Sequence, residues 1–463
     1  MKTFARGAAL LALILTASGV NAAPELTAQA LYQNNCAACH GANMEGGVGP
    51  TLLQHKWLHG EPTKANLQQV IGNGVPEKGM PAWSTVLRPA EIERLAEHLA
   101  SFSSVIPAAR NGVSQVTPIP DLAGFKLPKG FHISVYADGA PAARALAVSG
   151  SGIVYVGSRA AGKVYALVPS ADKASASVVV IAEKLSAPIG LTLVNGALYV
   201  AEIHRVIRFD DIDKRYASKP SFVVVKGDIP KETAHGEKVL KLGPDGKLYM
   251  PVGAPCNRCN KEDEPHSKIW RMDPDGSHFE EYARGIRNVV GFAFHPQTKA
   301  LWFTDNGPDS LGDNGPSDEL NVAPKAGLHF GFPYCHGGAV PDPEFAKGRS
   351  CDEFVAPVAK LGPHVASLGL TFYTGTQFPT TYQGNLFVAE HGSWNRPNRI
   401  GYRIALITLY GDKVVSDTPF LEGFLRGEAV VGRPADVAVL ADGSMLVSDD
   451  YGGRVYRITY DGK

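Results

Sequence analysis

Cys36-Ala37-Ala38-Cys39-His40 sets two thiols three residues apart with an imidazole directly behind them. Covalent haem attachment needs that order: each thiol adds across a vinyl group, and the spacing brings the next side chain under the iron as axial ligand. A redox CxxC pair would account for the cysteines but not for His40. Met80, in Gly79-Met80-Pro81-Ala82-Trp83, offers a thioether about forty residues downstream. Together His40 and Met80 would fill both axial positions of the iron, raise its reduction potential and leave no place for oxygen, which is the chemistry of electron transfer.

Short helices must hold these ligands. Leu26 to Asn34 reads as a helix leading into the haem motif. Pro89 to Phe102 reads as an amphipathic one, with Ile92, Leu95, Ala96 and Leu99 on one face and Glu91, Glu93, Arg94 and Glu97 left to solvent. In these features the segment 23–103 resembles a class I cytochrome c, a small all-α domain, in which Trp57 and Trp83 would pack near the haem. Ahead of it, Lys2 and Arg6, the apolar run Ala8 to Leu15 and the small residues Val20-Asn21-Ala22 have the pattern of a cleaved secretory signal over residues 1–22. Export and haem attachment together predict a periplasmic protein with no integral membrane segment once the signal is removed. The charge balance, with Lys+Arg and Asp+Glu both at 45, gives no field for nucleic acid or an anionic membrane.

Four further cysteines, Cys256, Cys259, Cys335 and Cys351, belong to the remainder of the chain. Asn260 follows the second CxxC where a second haem would need histidine. These cysteines read as structural, with disulfides permitted in an oxidising compartment. Cys335 with Cys351 and Cys256 with Cys259 could each close a loop, but four cysteines allow three pairings, and a four-cysteine zinc site is the alternative.

Residues 104–123, rich in proline and small polar residues, read as a linker. Beyond it, a turn followed by a short apolar strand recurs: Gly152 to Val156, Gly196 to Val200, Asp245 to Tyr249, Ala300 to Phe303, Gly384 to Val388 and Asp442 to Leu446. The period is roughly 45–55 residues apart from one stretched interval holding Asp309 to Pro363, a spacing that predicts propeller blades of four strands. Residues 124–463 are therefore expected to form an all-β six-bladed β-propeller after the cytochrome domain, in place of stacked β-sandwiches. Aspartates of the stretched interval, Asp309, Asp313 and Asp318, read as solvated turn residues.

The propeller segment resembles the soluble quinoprotein glucose dehydrogenases and L-sorbosone dehydrogenases, six-bladed propellers that hold pyrroloquinoline quinone (PQQ). Four motifs carry the likeness: Ala234-His235-Gly236-Glu237 with Leu242 to Gly246; Gly285-Ile286-Arg287-Asn288-Val289; Asp305-Asn306-Gly307-Pro308 with Ser317 to Asn321; and Gly432-Arg433-Pro434-Ala435-Asp436. The resemblance implies His235 as general base, Arg287 and Asn288 at the quinone, the Gly307 and Pro308 carbonyls as Ca²⁺ ligands, and Arg433 on a PQQ carboxylate. These roles are chemically consistent. PQQ carries three carboxylates and calls for forked cations, a hard cation prefers oxygen ligands, and an imidazole accepts a hydroxyl proton near neutral pH. One departure is that no lysine stands after Asn385 to Glu390, where the glucose dehydrogenases supply one to PQQ. The run His391-Gly392-Ser393-Trp394-Asn395-Arg396 with Gly401-Tyr402-Arg403 resembles the sorbosone branch instead, which implies Arg396 or Arg403 as the replacement charge and Trp394 as a stacking residue.

The combined expectation is a dehydrogenase that oxidises a sugar or aldehyde with PQQ and Ca²⁺ and passes electrons one at a time to its own haem. An external acceptor, a soluble cytochrome, a copper protein or a quinone-linked oxidase, would follow. Two other readings are an electron-transfer cytochrome with a non-catalytic propeller as docking module, and a Ca²⁺-dependent lactonase-like hydrolase. A hydrolase of neutral lactones has no need of several arginines around a tricarboxylate.

Overall fold

The computed structural model describes residues 27–36, 40, 44, 50, 52, 57–76, 80–105, 119–393, 398–427 and 429–463. The expected signal over 1–22, Cys39, residues 106–118 of the linker, Trp394 and Arg396 lie outside them. The chain divides into two compact units, Met1–Gln115 and Val116–Lys463.

Helices Ala28–Asn35, Lys64–Asn73 and Pro89–Val105 build the first unit. Thr63 starts the second of these by accepting the Asn66 N–H at 3.2 Å, so that one of the free N–H groups of the first turn is satisfied. The third opens on Pro89, whose fixed φ suits a first helical position. Glu91 is not left to solvent as the periodicity suggests. Its carboxylate turns back to accept the Arg88 N–H at 2.9 Å. Ile92, Leu95, Ala96 and Leu99 do form the buried face, and they meet Leu31, Tyr32, Cys36, Leu67 and Ile71, with Trp57 and Trp83 packed against them.

The second unit is a six-bladed propeller of four-stranded antiparallel sheets. Its blades begin with the strand pairs Ala143–Val148 and Val154–Ser158, Gly190–Val194 and Ala197–Ala201, Lys241–Leu242 and Leu248–Val252, Gly291–Phe294 and Leu301–Asp305, Ser367–Phe372 and Leu386–Glu390, and Pro434–Val439 and Met445–Asp449. The six turn-strand repeats of the sequence are the second strands. Each of these is buried along its whole length, because neighbouring blades cover both faces, and so it reads as an uninterrupted apolar run. Phe131–Asp138, from just after the linker, pairs with Arg454–Tyr460 as the outer strand of blade six and ties the two ends of the ring together.

First strands line the axis, where Ile189, Leu191, Val239, Val290 and Ala435 border a narrow cavity. Blades approach one another closely there. A Cβ on Gly190 would lie 2.2 Å from the Lys238 carbonyl oxygen, and one on Gly291 would lie 2.1 Å from that of Leu368. Between blades six and one, the buried Asp436 carboxylate accepts the Leu146 N–H at 2.9 Å, and Ser448 Oγ donates to the Arg144 carbonyl at 2.6 Å.

The stretched interval lies within blade four, around strands Asp318–Ala323 and Ala359–Gly362. It carries the ribbon of Cys335–His336 with Val340–Pro341, and it lends Leu328–His329 to the edge of blade three as a parallel fifth strand.

Candidate active site

In an up-and-down blade, the start of the first strand and the end of the second lie on one face of the propeller. Residues just before a first strand, or just after a second, therefore collect at one mouth of the axial channel. His235, Arg287 and Arg433 occupy the former position in blades three, four and six, and Gly307 and Pro308 the latter in blade four. The structure thus brings together the main residues singled out in the sequence.

His235 adopts φ +46°, a left-handed conformation uncommon for a residue with a Cβ. Its Nδ1 lies 2.8 Å from the Ala254 carbonyl oxygen. Only a protonated Nδ1 can donate there, which fixes the tautomer and leaves the Nε2 lone pair for a ligand. Burial and then the Arg287 charge push the imidazole pKa down from 6.5 to about 3, so it is neutral across the physiological range.

Arg287 is 7% exposed. Nε donates to the Asn257 carbonyl at 2.9 Å, Nη2 to Asn257 Oδ1 at 3.1 Å and Nη1 to the Asn306 carbonyl at 2.9 Å. A guanidinium has five N–H donors, so one on each terminal nitrogen remains for a ligand. Below it, Asp305 accepts the N–H groups of Arg287 and Asn288 at 2.9 and 2.6 Å. The Asn288 side chain is half-buried, and its carbonyl accepts the Asn306 N–H at 3.1 Å.

The Gly307–Pro308 turn is shaped by Asp318, which accepts the Gly307 N–H at 3.0 Å and those of Ala366 and Ser367 at 2.8 and 3.3 Å. Asp318 is 1% exposed and therefore no solvated turn residue, and burial pushes its carboxyl up to about 7. The sequence pattern hid this, because two of its three partners are backbone amides of the next blade. Outside the helices and strands, no described hydrogen bond ends on the Gly307 or Pro308 carbonyl, so both oxygens could serve a cation.

Arg433 donates through Nε to the His391 carbonyl at 3.2 Å and through Nη2 to that of Gly392 at 2.5 Å. Around it lie groups that the sequence reading did not assign. His391 Nε2 meets Asp450 Oδ1 at 2.8 Å, and Arg144 Nη1 meets Asp450 Oδ2 at 3.0 Å. Burial alone would raise the Asp450 pKa, but His391 and Arg144 outweigh it and hold the carboxylate below its usual range. Arg144 also faces Glu237 at 3.6 Å, and Arg159 bonds the same carboxylate. The buried Arg144 Nε has no protein partner among the described residues. Arg144, Arg159, Arg287 and Arg433 thus stand around one mouth, from three blades. Arg159, His391 and Asp450 directly follow second strands and obey the same positional rule as the assigned residues, whereas Arg144 is the second residue of a first strand.

Arg403 stands on the same face but one strand farther from the axis. It lies on the third strand of blade five, where it bonds Glu390 at 2.7 and 3.0 Å and approaches Asp417 at 3.4 Å, a fork paired within its own blade. The four structural cysteines form two disulfides, Cys256–Cys259 and Cys335–Cys351, so no thiolates remain there for the zinc alternative.

In the first unit, His40 Nδ1 lies 2.8 Å from the Pro50 carbonyl oxygen, which orients the ring and keeps Nε2 for iron. Cys36 is buried among the helices, and an antiparallel bridge to Val75 anchors the Met80 backbone. This arrangement fits a haem held by Cys36 and His40.

Comparison with known proteins agrees with both halves. Residues 201–394 match the glucose/sorbosone dehydrogenase family, and residues 23–99 match the cytochrome c oxidase, cbb3-type, subunit III family. An uncharacterized protein of Borreliella burgdorferi is 31% identical over 73% of this chain and 91% of its own length. Aldose sugar dehydrogenase YliI of Escherichia coli is 29% identical over 54% of this chain, which spans 66% of that relative. The holo PQQ domain of Coprinopsis cinerea pyranose dehydrogenase shares the fold, with a TM-score of 0.61 at 18% identity over 72% of this chain and 97% of that one. The chain belongs to the glucose/sorbosone dehydrogenase family, a family of oxidoreductases, and carries a cytochrome c domain at its N-terminus.

Proposed function

We propose that this protein is a periplasmic PQQ- and Ca²⁺-dependent dehydrogenase of a sugar or aldehyde, delivering electrons to its own c-type haem and then to an external acceptor. The observation that carries this reading is the mouth of the propeller. Four arginines, one with a buried Nε that meets no acceptor among the described residues, stand beside a neutral histidine and a turn whose two carbonyls accept no described hydrogen bond outside the helices and strands. That donor set suits a planar tricarboxylate next to a hard cation.

Arg287, Arg433 and Arg144 would hold the PQQ carboxylates and quinone oxygens, with Asn288 alongside, and the Gly307 and Pro308 carbonyls would hold Ca²⁺. When bound, PQQ supplies a two-electron acceptor and Ca²⁺ polarises it. His235 receives the hydroxyl proton of the substrate at Nε2, while its Nδ1–H bond to Ala254 keeps the ring from turning. The two free N–H groups of Arg287 point charge at the reacting oxygen, and Asn257 and Asn306 hold the guanidinium in place. Glu237, two residues from His235 and paired with Arg144 and Arg159, keeps the cationic mouth from repelling the proton that His235 gains.

In the first unit, His40 and Met80 would hold the iron and Cys36 and Cys39 the porphyrin. The haem supplies a one-electron carrier. Fusion in one chain gives the two units a high mutual effective concentration. A soluble cytochrome, a copper protein or a quinone-linked oxidase would take the electrons onward. Among the described residues no helix is long and apolar enough to cross a membrane.

The test is to load the haem protein with PQQ and Ca²⁺ and follow the haem α-band while adding aldoses, sorbosone and simple alcohols. Reduction by a sugar or aldehyde, abolished by His235→Ala with the haem spectrum unchanged, is the expected result. Absence of reduction by every substrate rejects the reading.

A further inference from the structure

The second CxxC is closed as a disulfide and sits against the site. Cys256-Asn257-Arg258-Cys259 follows the second strand of blade three, at the channel mouth, and its disulfide closes a ring of four residues. Within that ring Asn257 offers Arg287 two acceptors at once, its carbonyl to Nε at 2.9 Å and its Oδ1 to Nη2 at 3.1 Å. Its Nδ2 donates to Asp309, the residue after the Gly307–Pro308 turn. A backbone and a side-chain oxygen that face the same fork demand one conformation of the peptide. Residues 253–267 have no regular structure of their own to impose it.

What imposes it is a second closed loop. Arg258 reaches Asp342 at 3.4 Å and Glu344 at 3.3 Å, Asn260 donates to the Tyr334 hydroxyl at 3.1 Å, and Glu262 binds His329 at 2.9 Å and Tyr334 at 2.5 Å. Asp342 and Glu344 lie inside the loop that Cys335–Cys351 closes, and His329 and Tyr334 lie just before it in the same blade-four insertion. Asp342 is itself fully buried and bonded to His336 at 2.8 Å. Two disulfide-closed loops therefore brace each other, and the only side chain that the smaller ring sends to the mouth is Asn257.

We propose that Asn257 is a positioning residue for Arg287, and that the Cys256–Cys259 ring, braced by the blade-four insertion, exists to hold it there. This rests on the dehydrogenase reading for its consequence in turnover, but not for its consequence in cofactor affinity. Truncating Asn257 to alanine removes its Oδ1 from Nη2 and its Nδ2 from Asp309, leaving Arg287 only backbone carbonyls as partners, on Nε and Nη1; Nη2 is then unheld, and the guanidinium no longer presents its free donors to the quinone in register.

The test compares Asn257→Ala and the pair Cys256→Ser/Cys259→Ser with the parent, measuring PQQ affinity by fluorescence titration in Ca²⁺ and sugar-driven haem reduction. Loss of a hydrogen bond to a charged group implies a PQQ affinity weaker by roughly tenfold or more. It also implies a fall in kcat of about tenfold or more, with KM for the sugar within about threefold, because the interaction serves the transition state. In an Arg287→Lys background, Asn257→Ala should change PQQ affinity by less than about twofold, since the clamp then has nothing to hold. The proposal is overturned if both variants bind PQQ within twofold of the parent, or if Asn257→Ala costs as much in the Arg287→Lys background as alone. A parent that binds PQQ but oxidises no sugar or aldehyde rejects the dehydrogenase reading, and the affinity ratios still decide the clamp.

Discussion

Gly253 lies directly beneath the proposed base, and a single methyl group there should separate positioning from folding. It is buried, follows the second strand of blade three and has a backbone any residue can adopt, so alanine brings no conformational strain. A Cβ at this position would sit 2.7 Å from both Cβ and the carbonyl oxygen of His235, and 3.3 Å from the Arg287 carbonyl oxygen. Relief to an ordinary contact of about 3.4 Å requires His235 to move by roughly 0.7 Å. A misplacement of about 1 Å costs on the order of 100-fold, so 0.7 Å corresponds to roughly 25-fold in kcat. PQQ affinity should change by less than about threefold, because Arg433 and Arg144 stand on other blades. Overpacking costs about 1–3 kcal/mol and leaves the propeller folded. The assay is the initial rate of haem α-band growth at saturating sugar, with Gly150→Ala as control, a turn glycine with nothing within 4 Å of its added Cβ. A Gly253→Ala protein with kcat within twofold of the parent, or an equal loss in Gly150→Ala, would refute the placement of His235 as the proton acceptor.

Other outcomes follow from the same contacts. The lowered His235 pKa means that protonation sets in only far below the ordinary 6.5. In the cofactor-free protein its ring signals, assigned by difference with His235→Asn, should therefore stay neutral from pH 8 down to about 5, and a midpoint between 6 and 7 contradicts this. Arg433→Ala should weaken PQQ binding by roughly 10–100-fold in a fluorescence titration while leaving the haem spectrum intact, and unchanged affinity would remove Arg433 from the cofactor. Opening the larger loop by Cys335→Ser/Cys351→Ser should cost about 3 kcal/mol in denaturant unfolding of the propeller, as expected for a crosslink at a separation of 16 residues. Equal stability would show that the insertion is held by its ion pairs alone.

What could be read from the sequence, and what could not, follows from where each residue finds its partners. The second strand of every blade was visible because it is buried on both faces and its own composition says so. First strands were not. Lys241–Leu242 is only two residues long, and Gly190 and Gly291 interrupt the apolar pattern where backbones of adjacent blades meet. Cys36, Cys39 and His40, the expected haem-attachment residues, are adjacent in sequence, so that reading depends on no fold. The ring at the channel mouth is not local: Arg144 and Asp450 meet across 306 positions, and Arg287 is held by a residue thirty positions before it. Arg403 shows the converse error. Its place in a suggestive motif implied the cofactor, whereas its strand position turns it to Glu390. Asn257 carries no signal of its own in the sequence, because the guanidinium that it holds comes from another blade.

The central claim is that sugar oxidation in the propeller and haem reduction in the cytochrome unit are one process within one chain. Stopped-flow mixing of the PQQ- and Ca²⁺-loaded protein with excess sugar, repeated over a hundredfold range of protein concentration, tests it directly. The account requires a first-order rate of haem reduction that does not change with protein concentration, as an intramolecular transfer must behave. A rate that rises in proportion to concentration, or a haem that stays oxidised while sugar is consumed, would contradict it.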